Sequence, residues 1–176
     1  GDGGYLTTNN MTIFKKIKNL RTHGMDESRD NVRSFGYVSR MDNIQAAILN
    51  FRLKNLKNAI KKRRRNVELY LENLHLNKIY FPKEKKYEFN TYHTFVVQVE
   101  KRDQLREFLK KRGVETAIHY PIPIHLQTAS KFLGYKKGDF TEAENQSKKI
   151  LTLPINQYLN KKEISYICKL INNFYA

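Results

Sequence analysis

Cysteine is nearly missing from this sequence, and long apolar runs are missing altogether. The single Cys168 rules out an internal disulfide and leads us to expect a reducing, cytoplasmic setting. Its place in an apolar helical pattern marks it as a small core residue. No apolar stretch approaches a membrane span, and no charged-then-apolar segment opens the chain. Neither a membrane partner nor a targeting signal is therefore expected. Glycine and proline are sparse, eight and four of 176 residues, and 40% of positions are apolar, which excludes a disordered chain.

Acidic residues are also few, 17 against 33 Lys and Arg, leaving a net charge of +16. Such an excess attracts phosphorylated ligands and raises the question of nucleic acid. The lysines are spread along the whole chain, however, whereas a nucleic-acid footprint usually clusters on one face. No dedicated nucleic-acid partner is expected. Metal-ligand spacing is lacking too. His93, His119 and His125 have no nearby cysteine, and two prolines separate the last pair, so no metal site is expected. No serine stands in a Gly-flanked nucleophile elbow.

What is present begins with Gly1-Asp2-Gly3-Gly4, a run suited to a tight turn, followed by the strand-like Tyr5-Leu6-Thr7-Thr8. Asn9 or Asn10 can cap a helix that carries Ile13, Phe14, Ile17 and Leu20 on one face and stops at His23-Gly24. Residues 25–36 read as a long loop. From Met41 to Leu74 there is neither Gly nor Pro, and apolar residues recur at helical spacing. One unbroken helix over that span would be ~51 Å long. The basic run Lys61 to Arg65 covers more than one turn and reads as a solvated crossing with ion pairs.

Beyond residue 76 the texture changes to alternating strands and helices. Thr94–Val99, Val114–Ile118 and Leu151–Pro154 read as strands. Helices are expected after Asp103 and Thr141 as caps, and from Lys161 to Phe174. The pattern predicts an α+β unit at 77–176, with a connecting helix at 41–76 and a separate piece at 1–40.

Nine short blocks, taken in order, resemble a known family. They are Gly1-Asp2-Gly3-Gly4 with Thr7-Thr8-Asn9, Arg21-Thr22-His23-Gly24, Gly36-Tyr37-Val38-Ser39-Arg40-Met41-Asp42, and Gln45-Ala46-Ala47. Arg63-Arg64-Arg65, His93 and the segment His119-Tyr120-Pro121-Ile122-Pro123-Ile124-His125-Leu126-Gln127 follow, and then Gly134-Tyr135 and Leu151-Thr152-Leu153-Pro154. The sequence is identified by them as similar to the DegT–DnrJ–StrS sugar aminotransferases, which depend on pyridoxal 5′-phosphate and have the type I aspartate-aminotransferase fold.

The resemblance implies a C-terminal portion of such an enzyme. Residues 1–40 would be a remnant of the cofactor-binding large domain, 41–76 the interdomain helix and 77–176 the small domain. The Schiff-base lysine would lie a few residues before Gly1, so no catalytic residue is assigned here, and no cofactor is expected on this chain alone. The complete enzyme, by resemblance, is a homodimer that moves an amino group from glutamate to a nucleotide-linked keto sugar. Ser39 and Arg40 would help hold the cofactor phosphate across the dimer, although Arg40 can instead pair with Asp42 or Asp26. The family's usual Asn is Val38 here, which removes one amide donor. His119, Tyr120 and His23 would face the substrate, with loop packing or helix-end packing as their alternatives. A sugar dehydratase of the same family and a non-catalytic binding module remain the other functional readings.

Overall fold

A computed structural model describes residues 4–25, 28, 30–75 and 77–176. It divides into two compact units, residues 1–56 and 57–176. The Gly1–Gly3 part of the expected opening turn lies outside the described residues.

The first unit is built around α1, Met11–Leu20. Asn10 caps it as expected: its Oδ1 accepts the Thr12 and Ile13 N–H groups at 2.9 and 3.1 Å. The chain then reverses through His23 and Gly24, both at positive φ, 64° and 73°. Gly24 is obligatory for a second reason: a Cβ there would lie 1.7 Å from the Ser34 carbonyl oxygen. Gly36 is packed as closely, since its Cβ would lie 2.4 Å from the Gly24 nitrogen. Two glycines thus let the returning chain touch the helix end. Isolated bridges Thr22↔Val38 and Met25↔Val32 hold it there. The Asn19 side chain reinforces the turn, donating to the Met25 carbonyl and accepting from Ser34 Oγ.

Two expectations fail in this unit. Tyr5–Thr8 forms no strand, because a strand needs a hydrogen-bonded neighbour and the described residues provide none. The single long helix is two, α2 (Asn43–Leu53) and α3 (Leu56–Asn73). The ladder breaks at Lys54 and Asn55, where the Asn55 N–H turns back to the Arg52 carbonyl at 3.1 Å. Asparagine is a poor helix-interior residue because its amide competes with the backbone.

Among the described residues, all the buried hydrophobic core belongs to the second unit. Its sheet is small and antiparallel, in the order β1 (Ile79–Tyr80), β2 (Phe95–Val99), β3 (Ile150–Leu153). Phe95, Val97 and Val99 alternate onto the core face, as a period-2 pattern requires. They meet Val67, Tyr70 and Leu74 of α3, Leu105 and Leu109 of α4 (Arg102–Lys110), and Ile164, Ile167, Cys168 and Ile171 of α6 (Lys161–Tyr175). Burial pushes the Cys168 thiol up to about 12, in keeping with its role as a core residue. Tyr70 is fully buried and its hydroxyl donates to the Pro154 carbonyl at 2.9 Å. Asn66 donates to the Asn156 and Leu159 carbonyls, fixing the turn after β3. Asn160 and Glu163 form a capping box at the start of α6.

Here too the details depart from expectation. Val114–Ile118 is reduced to one bridge, Ala117↔Thr152, rather than a strand. Asp103 does not cap α4: Lys101, at φ 50°, occupies that position, and Asp103 pairs with Arg102 instead. Thr141 is the first residue of α5 (Thr141–Lys149), with Phe140 at the cap position. The two-residue strand β1 is too short for any periodic signal and escaped the sequence reading. Within the basic run, Arg64 finds its partner outside the helix. It makes two parallel bonds to Glu84 at 2.7 and 2.8 Å and one to the Asn90 carbonyl, with the Phe89 ring 4.7 Å away. No helix among the described residues is long and apolar enough to cross a membrane.

Candidate functional site

Two groups of sequence-predicted residues are brought into definite local settings, one in each unit. In the first unit, three backbone bonds join residues 37–39 to the end of α1. Tyr37 N–H donates to Leu20 O (2.7 Å), His23 N–H to Tyr37 O (3.0 Å) and Ser39 N–H to Arg21 O (3.1 Å). The Arg21–Gly24 block and the Gly36–Asp42 block are therefore one structural feature. His23 takes part through its backbone at positive φ, and its ring is exposed. Ser39 and Arg40 are both exposed. Among the described residues the Ser39 hydroxyl and the Arg40 guanidinium have no partner. Asp42 does not pair with Arg40; its backbone N–H donates to the Gln45 side chain at the start of α2. Asp26, the other possible partner, lies outside the described residues. A free hydroxyl beside a free guanidinium is a donor set suited to a phosphate group.

In the second unit a pocket of about 310 Å³ opens where the residue 114–119 segment crosses β3. Sheet pairing places its walls. The Ala117↔Thr152 bridge, with N–H···O distances of 2.7 and 3.1 Å, sets the neighbouring His119 against β3. His119 Nδ1 lies 2.9 Å from Thr152 Oγ1. His93 and Thr94 close the pocket from the start of β2. The only carboxylate in the lining is Glu115, and neither Lys nor Arg contributes. Imidazoles and hydroxyls without a cation suit an uncharged, hydroxyl-bearing group better than an anion. Thr116 Oγ1, beside them, is buried with no hydrogen-bond partner. Tyr120 stacks edge-on against the His119 ring and is 72% exposed, so it stands at the surface beside the pocket.

A buried pair anchors the far end of this loop. His125 Nε2 lies 3.0 Å from Glu144 Oε1, which also accepts the Gly138 N–H at 2.7 Å. The Gly138 bond first, and then His125, hold the Glu144 carboxyl below the usual carboxylate range. Phe140 packs on the His125 ring at 4.8 Å. The loop from 119 to 127 is thus held at one end by Thr152 and at the other by Glu144.

The sequence reading singled out His119 and Tyr120 and did not single out Thr152, Thr116 and Thr94, which line the same pocket as His119. The available signal was Thr152 itself, a polar residue in an otherwise apolar strand, Ile150–Leu153.

The model of the DegT/DnrJ/EryC1/StrS aminotransferase family matches residues 1–172. The chain is 35% identical to the "Pleiotropic regulatory protein" of Geobacillus stearothermophilus, covering 99% of this chain and 48% of that one. It is 30% identical to the dTDP-3-amino-3,6-dideoxy-alpha-D-galactopyranose transaminase of Aneurinibacillus thermoaerophilus, over 98% of this chain and 47% of the relative. Among solved structures, DesV of S. venezuelae superposes with a TM-score of 0.84 at 29% identity, covering 95% of this chain and 45% of that chain. The chain spans about half the length of the curated relatives it matches.

Proposed function

The chain belongs to the DegT/DnrJ/EryC1/StrS aminotransferase family, and from that premise we propose that it forms the C-terminal part of a nucleotide-sugar aminotransferase. The reaction is transfer of an amino group, from glutamate, to the keto group of a nucleotide-linked sugar. The observation that carries this reading is the cation-free pocket of the second unit, walled by His93, His119 and three threonines. Its chemistry suits a sugar ring, whose hydroxyls both donate and accept, better than a phosphate or the carboxylates of an amino donor. The transaminase activity named for the Aneurinibacillus relative supports the same substrate class.

Ser39 and Arg40 would hold the phosphate of pyridoxal 5′-phosphate, in a homodimer on the partner protomer's side. When bound, that cofactor supplies the electron sink on which amino-group transfer depends. His119 would present its free ring nitrogen to an oxygen of the sugar, and Tyr120 would flank it at the pocket mouth. His23 shapes the turn that carries Ser39, and its exposed ring would face substrate in the complete enzyme. The lysine that would hold the cofactor and move the proton belongs to the part of the family's enzymes that this chain, at about half its relatives' length, does not span; the whole protein would be cytoplasmic.

Titration of the 176-residue chain with dTDP-glucose, followed by amide and imidazole NMR, tests the pocket assignment. Shifts at His93, Thr116, His119, Tyr120 and Thr152 are expected. Shifts confined to the basic run Lys61–Arg65 of α3, or none, would refute it.

A further inference from the structure

We propose that Thr152 is a positioning residue for substrate recognition: it holds His119 with the proton on Nε2, so that the ring offers a donor to an acceptor oxygen in the pocket. The inference rests on the reading of His119 as substrate-facing. Thr152 is 7% exposed, and its backbone N–H and carbonyl are both taken by Ala117. Its hydroxyl is therefore fixed in place by the sheet rather than by the ligand. The only hydrogen-bonding partner of that hydroxyl among the described residues is His119 Nδ1, at 2.9 Å.

The proton bookkeeping follows from that isolation. A buried hydroxyl carries one hydrogen, and leaving it unbonded costs more than any choice of imidazole tautomer. With His119 Nδ1 as its one partner among the described residues, the Thr152 O–H is assigned as donor and Nδ1 as acceptor. A neutral imidazole with Nδ1 accepting carries its hydrogen on Nε2. Nε2 has no partner among the described residues and is the nitrogen left for a ligand. The pocket thus gains a directed N–H donor while presenting no cation, which discriminates for a carbonyl or hydroxyl oxygen of the sugar. The arrangement spans 33 residues of sequence, from the Pro-rich loop to the last strand. The Ala117↔Thr152 bridge sets its register, since a one-residue slip would turn Thr152 to the other face of β3.

The test uses long-range ¹H–¹⁵N spectra of His119 in the full chain at pH 8.5, for the native protein, Thr152→Val and Thr152→Ser. Valine keeps the shape and removes the hydroxyl; serine keeps the hydroxyl. The native protein and T152S should show an acceptor-type Nδ1 and a protonated Nε2. T152V should lose that separation, with the two nitrogen shifts moving toward each other. An unchanged His119 pattern in T152V, or its loss in T152S as well, overturns the proposal. A further titration with dTDP-glucose reads the functional premise separately. In the native protein and T152S the Nε2 resonance should move, and in T152V binding should weaken roughly 3–10-fold, the scale of one hydrogen bond. Failure of Nε2 to respond in any variant, with the tautomer preference intact, refutes the substrate-facing premise and the positioning role with it.

Discussion

Replacing Tyr70 by phenylalanine tests whether the pocket's floor is tied to the core of the second unit. The ring is fully buried on α3, 5.3 Å from Phe95, and phenylalanine retains that packing. What is lost is the 2.9 Å bond from the hydroxyl to the Pro154 carbonyl, at the residue that follows β3 and lines the pocket. The carbonyl loses the partner supplied by Tyr70, and removing one member of a buried hydrogen bond costs about 1–3 kcal/mol. For a folded unit of this size that is a fall in Tm of roughly 4–12 °C. Thermal melts by circular dichroism and urea titrations would measure it. The midpoint should drop while the urea m-value stays constant, because the surface exposed on unfolding is unchanged. A melt indistinguishable from the native protein's would show that Tyr70 contributes only packing. A changed m-value would show that the substitution acts on the unfolded or native ensemble instead.

Two further outcomes follow from the same geometry. The Arg64 guanidinium beside Glu84 and the Asn90 N–H hold the Glu84 carboxyl down at about 2, against an ordinary 4.5. A depressed carboxylate contributes stability above its unfolded pKa and loses it as pH falls through the folded value, so this contribution fades between about pH 4.5 and 2. Arg64→Met should bring the Glu84 titration back toward 4.5 by NMR and flatten the acid-unfolding slope over that window; an unshifted titration would refute the pairing. Residues 57–176, expressed alone, should melt cooperatively because they carry every buried hydrophobic side chain of the described core. They should also scatter less light than the full chain, which exposes Tyr5, Leu6, Phe14, Ile44 and Phe51. Loss of the cooperative melt would place essential stability in the first unit.

Much of the second unit was legible because its signals are local. The strand-forming residue types of Thr94–Val99 and the helix from Lys161 to Phe174, with Cys168 in its apolar pattern, can each be read from residues close in sequence. Elements that depend on a partner were not. Among the described residues Tyr5–Thr8 has strand chemistry but no neighbour, and Val114–Ile118 keeps one bridge, at Ala117. Asp103 looked like a cap, yet capping is decided by backbone dihedrals, and Lys101 takes the left-handed turn first. The candidate site divides the same way. His119 and Tyr120 were legible as a block, whereas the bond that orients His119 comes from a threonine 33 residues away and exists only once the sheet has paired. Gly24 and Gly36 were legible as a turn and a loop end, but their mutual contact, which brings Ser39 to α1, was not.

The central claim is that this chain is the C-terminal part of a nucleotide-sugar aminotransferase whose sugar pocket lies beside His119. Its most direct test is to express the gene from its own start codon and assay the product with pyridoxal 5′-phosphate, glutamate and a nucleotide-linked keto sugar, reading amino-sugar formation by mass spectrometry. Expected is transamination that disappears when the cofactor-holding lysine of the complete protein is replaced, and that falls sharply with His119→Ala. A product that forms no amino sugar from any keto sugar nucleotide, or one whose activity survives replacement of that lysine, would contradict it.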